Sequence, residues 1–152
     1  TQVLIPAGGL QVAQRSTRAV TERLESAAKR GETFYRTMSQ ADYDTFVKTG
    51  KVPATSETFT SPTRAFSARY DGVLVEFNVK PGTTDALKSV GVRDSSALVK
   101  SQYGDLPEVT KGWNANNAYF KGERGQVNIG LGKGKALGIF NDNIRGYNVI
   151  RK

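Results

Sequence analysis

The 152-residue sequence contains neither cysteine nor histidine. Without cysteine there are no disulfides, thiolate zinc sites or cysteine nucleophiles, and the fold must stand on packing alone. Without histidine the usual neutral-pH acid and base, the commonest metal ligand and every imidazole triad are absent, as are ribonuclease mechanisms built on histidine pairs. Chemistry is left to carboxylates, lysine, arginine, tyrosine, hydroxyls and amides. The length suits about one domain, and 38% hydrophobic with 24% charged residues is ordinary for a folded protein. The longest uncharged apolar runs, such as Val73-Leu74-Val75, fall far short of the roughly 20 residues a membrane-spanning helix needs.

Charge narrows the partners. With 22 Lys and Arg against 14 Asp and Glu the net charge is +8, most of it in the second half of the chain. Such an excess favours an anionic partner: nucleic acid, a nucleotide or an acidic protein surface. No dedicated basic arm is visible. Residues 1–10, with two glycines and a proline, read as a linker from a preceding domain. Residues 11–152 then form a single domain, helical over 11–50 and rich in sheet over 51–152.

Apolar and small residues at Ala13, Thr17, Val20, Leu24 and Ala27 predict an amphipathic helix over 11–30, stopped by Gly31. Residues 33–37 are β-branched and aromatic enough for a strand. Ser39-x-x-Asp42 starts a second helix, with Tyr43, Phe46 and Val47 as its apolar face and Gly50 as its stop. Residues 57–61 read as a strand ended by Pro62, and 63–70 as a short helix. Residues 72–80 are the clearest strand, with Val73, Val75, Phe77 and Val79 on one face. A short helix is expected over 84–90 and strands over 118–121, 126–131 and 147–150. Residues 91–117 show little periodicity, and 132–138 read as a glycine- and lysine-rich turn. The order predicts an α+β fold: N-terminal helices followed by a mostly antiparallel mixed sheet core.

Gly130-x-Gly132-x-Gly134 invites a phosphate-binding reading, with Lys133 and Lys135 as charged contacts. It lacks the spacing of a dinucleotide fingerprint and the ending of a P-loop, and a turn between strands explains it equally well. Phe34, Phe59, Phe77 and Phe120 could stack bases, but strand aromatics are more often core. Trp113 fits a surface pocket and the interior equally.

A larger constellation comprises the Tyr35-Arg36-Thr37 strand, the helix ending at Gly50, then Thr58-Phe59-Thr60-Ser61-Pro62 and Ala65-Phe66-Ser67. Over roughly residues 34–79 it resembles the front half of ADP-ribosyltransferases. Among these it is most similar to C-terminal toxin domains of bacterial polymorphic toxins of the Rhs and contact-dependent inhibition kinds, in particular those that modify elongation factor Tu. The resemblance implies an ADP-ribosyltransferase-like fold and NAD as substrate. It implies that Arg36 holds the cofactor's ribose or phosphates, and that Ser61 with Thr60 shapes the nicotinamide pocket, with Tyr35, Thr37 and Phe66 also at the cofactor. It implies a larger secreted or cell-surface toxin acting in the target bacterium's cytoplasm, and a cognate immunity protein.

Where the family places Gln-x-Glu or Glu-x-Glu, this chain has Gln126-Val127-Asn128. An amide cannot supply the negative charge that stabilises a ribosyl cation. Glu123 is the nearest carboxylate, and it can substitute if its loop folds back. The alternative is a histidine-free ribonuclease acting on transfer RNA through Arg36, Tyr35, Lys121 and Arg124. A non-catalytic binding module is the third reading.

Overall fold

The computed structural model describes residues 31–109, 113 and 116–151. The expected linker over 1–10 and helix over 11–30 lie outside the described residues. Alternating side chains build strand β1 (Glu32–Met38), which buries Phe34 and Met38. Helix α1 (Gln40–Thr49) follows immediately. Ser39 caps it, its Oγ accepting from the Asp42 amide at 3.1 Å, and Gly50 closes it in the left-handed conformation with φ of 76°. Its apolar face is narrower than expected. Phe46 is buried and Tyr43 packs at the margin, but Val47 is 52% exposed, because the one turn that meets the sheet is filled by Phe46.

Strand β2 is only Phe59–Thr60, shorter than the segment 57–61, and α2 (Arg64–Ser67) is shorter than 63–70. Strand β3 (Val73–Val79) matches its pattern, burying Val75, Phe77 and Val79 together with Leu74 on its other face. Helix α3 (Thr83–Lys88) and strand β4 (Gly91–Arg93) come next. The stretch without periodicity contains β4 and a further helix, α4 (Ala97–Tyr103), capped by Ser96. Strands β5 (Ala118–Glu123) and β6 (Gln126–Gly130) form a hairpin. Its two-residue turn places Arg124 and Gly125 at φ of 51° and 77°, the left-handed pair that suits the twist of a tight hairpin.

The expected glycine- and lysine-rich turn over 132–138 holds at 132–134 and gives way to a helix from 135. Helix α5 (Lys135–Asp142) begins there, because burial of Ala136, Leu137 and Phe140 outweighs the poor helix propensity of Gly138. Strand β7 (Ile144–Ile150) follows and starts three residues before the expected 147.

The strands form two sheets. One is antiparallel, in the order β1-β3-β7; the other is mixed, in the order β2-β6-β5-β4, with β4 parallel to β5. With five helices among the described residues the fold is α+β, as expected. The two sheets join where β1 meets the end of β2. Tyr35 N donates to Ser61 O at 2.8 Å and Ser61 N returns a bond to Tyr35 O at 2.9 Å. One continuous core fills the interior, in which Phe34, Phe46, Phe77 and Phe140 meet edge to face with ring centres 5.3–5.7 Å apart.

Candidate active site

Strand alternation puts Arg36 on the same face of β1 as Phe34 and Met38, both core residues. A long cation between two buried side chains must find polar partners at the margin of the core. It finds them in the loop before β2 and at the first residue of β2. Nη1 donates to the Phe59 carbonyl at 2.7 Å and Nη2 to Thr55 Oγ1 at 3.3 Å, whereas the buried Nε has no hydrogen-bond partner among the described residues. Burial pulls the pKa of the guanidinium below the usual arginine value, with the Asp42 carboxylate opposing the shift. The salt bridges among the described residues, Arg93–Glu108 and Lys121–Glu123, leave Arg36 out.

A cleft of about 490 Å³ opens beside this group, within the range of roughly 300–1,000 Å³ typical of small-molecule sites. β1 contributes Arg36 and Thr37, the 55–61 segment Thr55 to Ser61, α2 and its exit Phe66, Ser67, Tyr70 and Asp71, and β5 Lys121 and Glu123. Thr37 Oγ1 donates to the Ser67 carbonyl at 2.5 Å, which ties α2 to β1. Arg69 stacks over the Phe66 ring, 4.9 Å from its centre.

Behind the Ser61 and Glu123 lining runs a polar ladder through β6, β5 and the residues that follow β2. Gln126 Nε2 donates to Ser61 Oγ at 3.0 Å and to Asn128 Oδ1 at 2.5 Å, while Gln126 Oε1 accepts from Thr63 Oγ1 at 2.6 Å. Asn128 Nδ2 donates to Glu123 Oε1 at 3.3 Å, and Lys121 Nζ lies 3.8 Å from the same oxygen. Asn128 is fully buried, so its amide can lie there only because both ends are bonded. Glu123 pairs in register with Gln126. Its carboxylate therefore reaches the cleft from the neighbouring strand, without any folding back of a loop.

Arg36, Thr37, Thr60, Ser61, Phe66 and Glu123 thus line one cleft, and Gln126 and Asn128 stand behind its wall. Tyr35 is not part of it. Alternation turns its ring to the other face of β1, where the hydroxyl donates to Glu76 Oε2 at 2.9 Å. Burial and then Glu76 raise its pKa. Arg124 sits in the β5–β6 turn, so the four residues of the ribonuclease reading are not gathered in the cleft. In the glycine-rich run two backbone amides are already bonded within the protein, Gly132 N to the Glu57 carbonyl at 2.9 Å and Lys135 N to Asn116 Oδ1 at 3.3 Å.

The match to known families follows these elements closely. A family model described as the PT3 toxin domain matches residues 30–149. The chain belongs to the PT3 toxin domain family. No curated protein matches it. The match runs from β1 into β7, so every cleft residue of this toxin domain lies inside it. A toxin domain implies a cognate immunity protein and fits a larger secreted protein that acts in target cells. No helix among the described residues is long and apolar enough to cross a membrane.

Sequence reasoning missed the segment 55–58. Thr55 N donates to Thr58 Oγ1 and Thr58 N to Thr55 Oγ1, both at 3.0 Å, a reciprocal closure for which Thr-x-x-Thr was the available signal. It also left Trp113 undecided. The indole is half-buried, donates to the Asn117 carbonyl at 2.9 Å, and packs with Phe59 and Tyr119 at 5.8 and 5.5 Å.

Proposed function

We propose that this toxin domain transfers ADP-ribose from NAD to a protein in the cytoplasm of a target bacterium, with elongation factor Tu as the first candidate. The observation that carries the reading is one cleft lined both by a guanidinium with an unpartnered buried Nε and by the Glu123 carboxylate. A largely buried cation with no salt bridge among the described residues favours an anionic ligand, because the ligand adds the direct ion pair that the more distant Asp42 does not supply. In NAD that anion is the pyrophosphate. Ser61 and Thr60 shape the space for nicotinamide.

In the reaction the glycosidic bond between the ribose C1′ and the nicotinamide nitrogen breaks, and its electron pair leaves with nicotinamide. Positive charge then develops over C1′ and the ring oxygen. A nucleophile on the target protein attacks C1′ and gives up its proton. Glu123 supplies the negative charge for this cation, a role Asn128 cannot perform. Asn128 and Gln126 instead hold the carboxylate and Ser61 in place. No step requires an imidazole, which agrees with the composition. The resemblance supplies the target, and the cognate immunity protein would block the cleft.

The test is incubation of the domain with labelled NAD and a bacterial lysate, following protein labelling and transfer RNA integrity together. A labelled band near the mass of elongation factor Tu, lost in Arg36→Ala, is the expected result. Shortened transfer RNA with intact NAD would sink the transferase reading in favour of the ribonuclease. Glu123→Gln, which keeps shape and removes charge, should lower kcat by about 10²–10³-fold with little change in KM. An unchanged kcat would remove Glu123 from the mechanism.

A further inference from the structure

We propose that Thr58 is a positioning residue for Arg36, and that the glycine-rich run after β6 serves as the anchor through which it acts. Arg36 is held at two points of the 55–59 segment, Thr55 Oγ1 and the Phe59 carbonyl. Between them lies Thr58, which is 1% exposed and has φ of 49°. A β-branched residue rarely adopts that left-handed conformation, so surrounding contacts must impose it.

Hydrogen bonds on both sides of Thr58 impose that conformation. Thr58 Oγ1 lies 2.7 Å from the Gly132 carbonyl, and the Thr58 carbonyl accepts from Leu131 N at 2.9 Å. The reciprocal bonds with Thr55 then close the loop. Gly132 itself has φ of 67°, where glycine is at ease, and its N–H holds the Glu57 carbonyl. The chain of contacts therefore runs from Gly132 through Thr58 to Thr55 and so to Nη2 of Arg36. Its product is a guanidinium fixed on one edge with its Nε left unpartnered. The glycine-rich run thereby has a use that requires no bound phosphate.

This inference rests on Arg36 being the anion-holding group of the cleft, but its test does not depend on NAD. In the full chain with ¹⁵N-labelled arginine, solvent exchange of the Arg36 Nε–H is compared with that of Arg93. The Arg93 Nε donates to the Leu106 carbonyl at 3.1 Å, outside the cleft, and serves as the internal control. Thr58→Val keeps the branched shape and removes the hydroxyl. It should speed Arg36 exchange about tenfold, leave Arg93 unchanged, and raise KM for NAD about tenfold with kcat held within about twofold. Thr58→Ser, which restores the hydroxyl, should return both values to wild type.

Unchanged Arg36 exchange in Thr58→Val, or an equal rise at Arg93, overturns the proposal. If Thr58→Val fails to fold, Thr58→Ala removes the same hydroxyl and leaves Thr55, the direct contact of Arg36, unaltered, and the same comparison decides. Absence of NAD turnover in the wild type would overturn the transferase reading alone, because the exchange comparison still reads the positioning.

Discussion

At Gly130 there is no room for a side chain. A Cβ there would lie 2.7 Å from Trp113 Cη2 and 3.1 Å from the Phe59 ring, while Lys121 Nζ sits 5.7 Å from the centre of that ring. Gly130→Ala should therefore push the aromatic pair apart and destabilise the fold by about 1–3 kcal/mol. Urea unfolding followed by tryptophan emission reads both effects, and an unchanged midpoint and spectrum would show that the rings yield freely. This packing was not legible in the sequence, where Phe59 read as a core strand residue and Trp113 as undecided. Neither reading contains the partner residue. Arg36 and Ser61, which a local pattern singles out, both line the cleft. Tyr35 was paired with Arg36 at the cofactor although a strand turns adjacent residues to opposite faces.

Helix α1 shows how far local signals reach at the scale of an element. Its start and stop were legible because capping is chemistry between near neighbours, Ser39 with the Asp42 amide and Gly50 with the left-handed turn. Ser39→Ala should cost about 0.5–2 kcal/mol through loss of that cap. Gly50→Ala meets nothing within 4 Å, so its cost is backbone strain alone, about 1–2 kcal/mol. Urea denaturation of the two variants and of the double variant checks both values, and a neutral Gly50→Ala would mean that the helix end relaxes. Helix α5 was illegible for the converse reason. Its glycines read as a turn, and only the burial of Ala136, Leu137 and Phe140 in the shared core makes a helix there.

For the molecule as a whole, the titrating groups set the pH range of stability. With no histidine, no side chain of ordinary pKa titrates between pH about 6 and 8. The urea midpoint should be nearly level across that interval. Tyr35, Tyr103 and Tyr119 all have pKa values raised by burial first, with nearby carboxylates adding to the shift. The native state thus holds these protons more tightly than the unfolded chain. Their contribution is fully present below the ordinary tyrosine value of about 10 and is lost as pH rises through the native values. Midpoints at pH 9 and pH 11 test this: stability should fall between them, and fall less in Tyr35→Phe. An equal fall in that variant would move the effect away from the Tyr35–Glu76 pair.

The sequence by itself determined the chemistry open to this protein, since the absence of histidine and cysteine is a matter of composition. It also determined β3 and the caps of α1, which depend on neighbours a few residues away, and the α+β class. Tertiary structure alone decided the strand order of the two sheets and the join at Tyr35 and Ser61, 26 positions apart. It placed the Glu123 carboxylate on the cleft wall through cross-strand register, and tied Thr58 to Gly132 across 74 positions. Such contacts are selected by the packing of the whole chain. A carboxylate lining the same cleft as a distant arginine, or a hydroxyl bonded to a distant carbonyl, leaves no periodic trace in the order of residues.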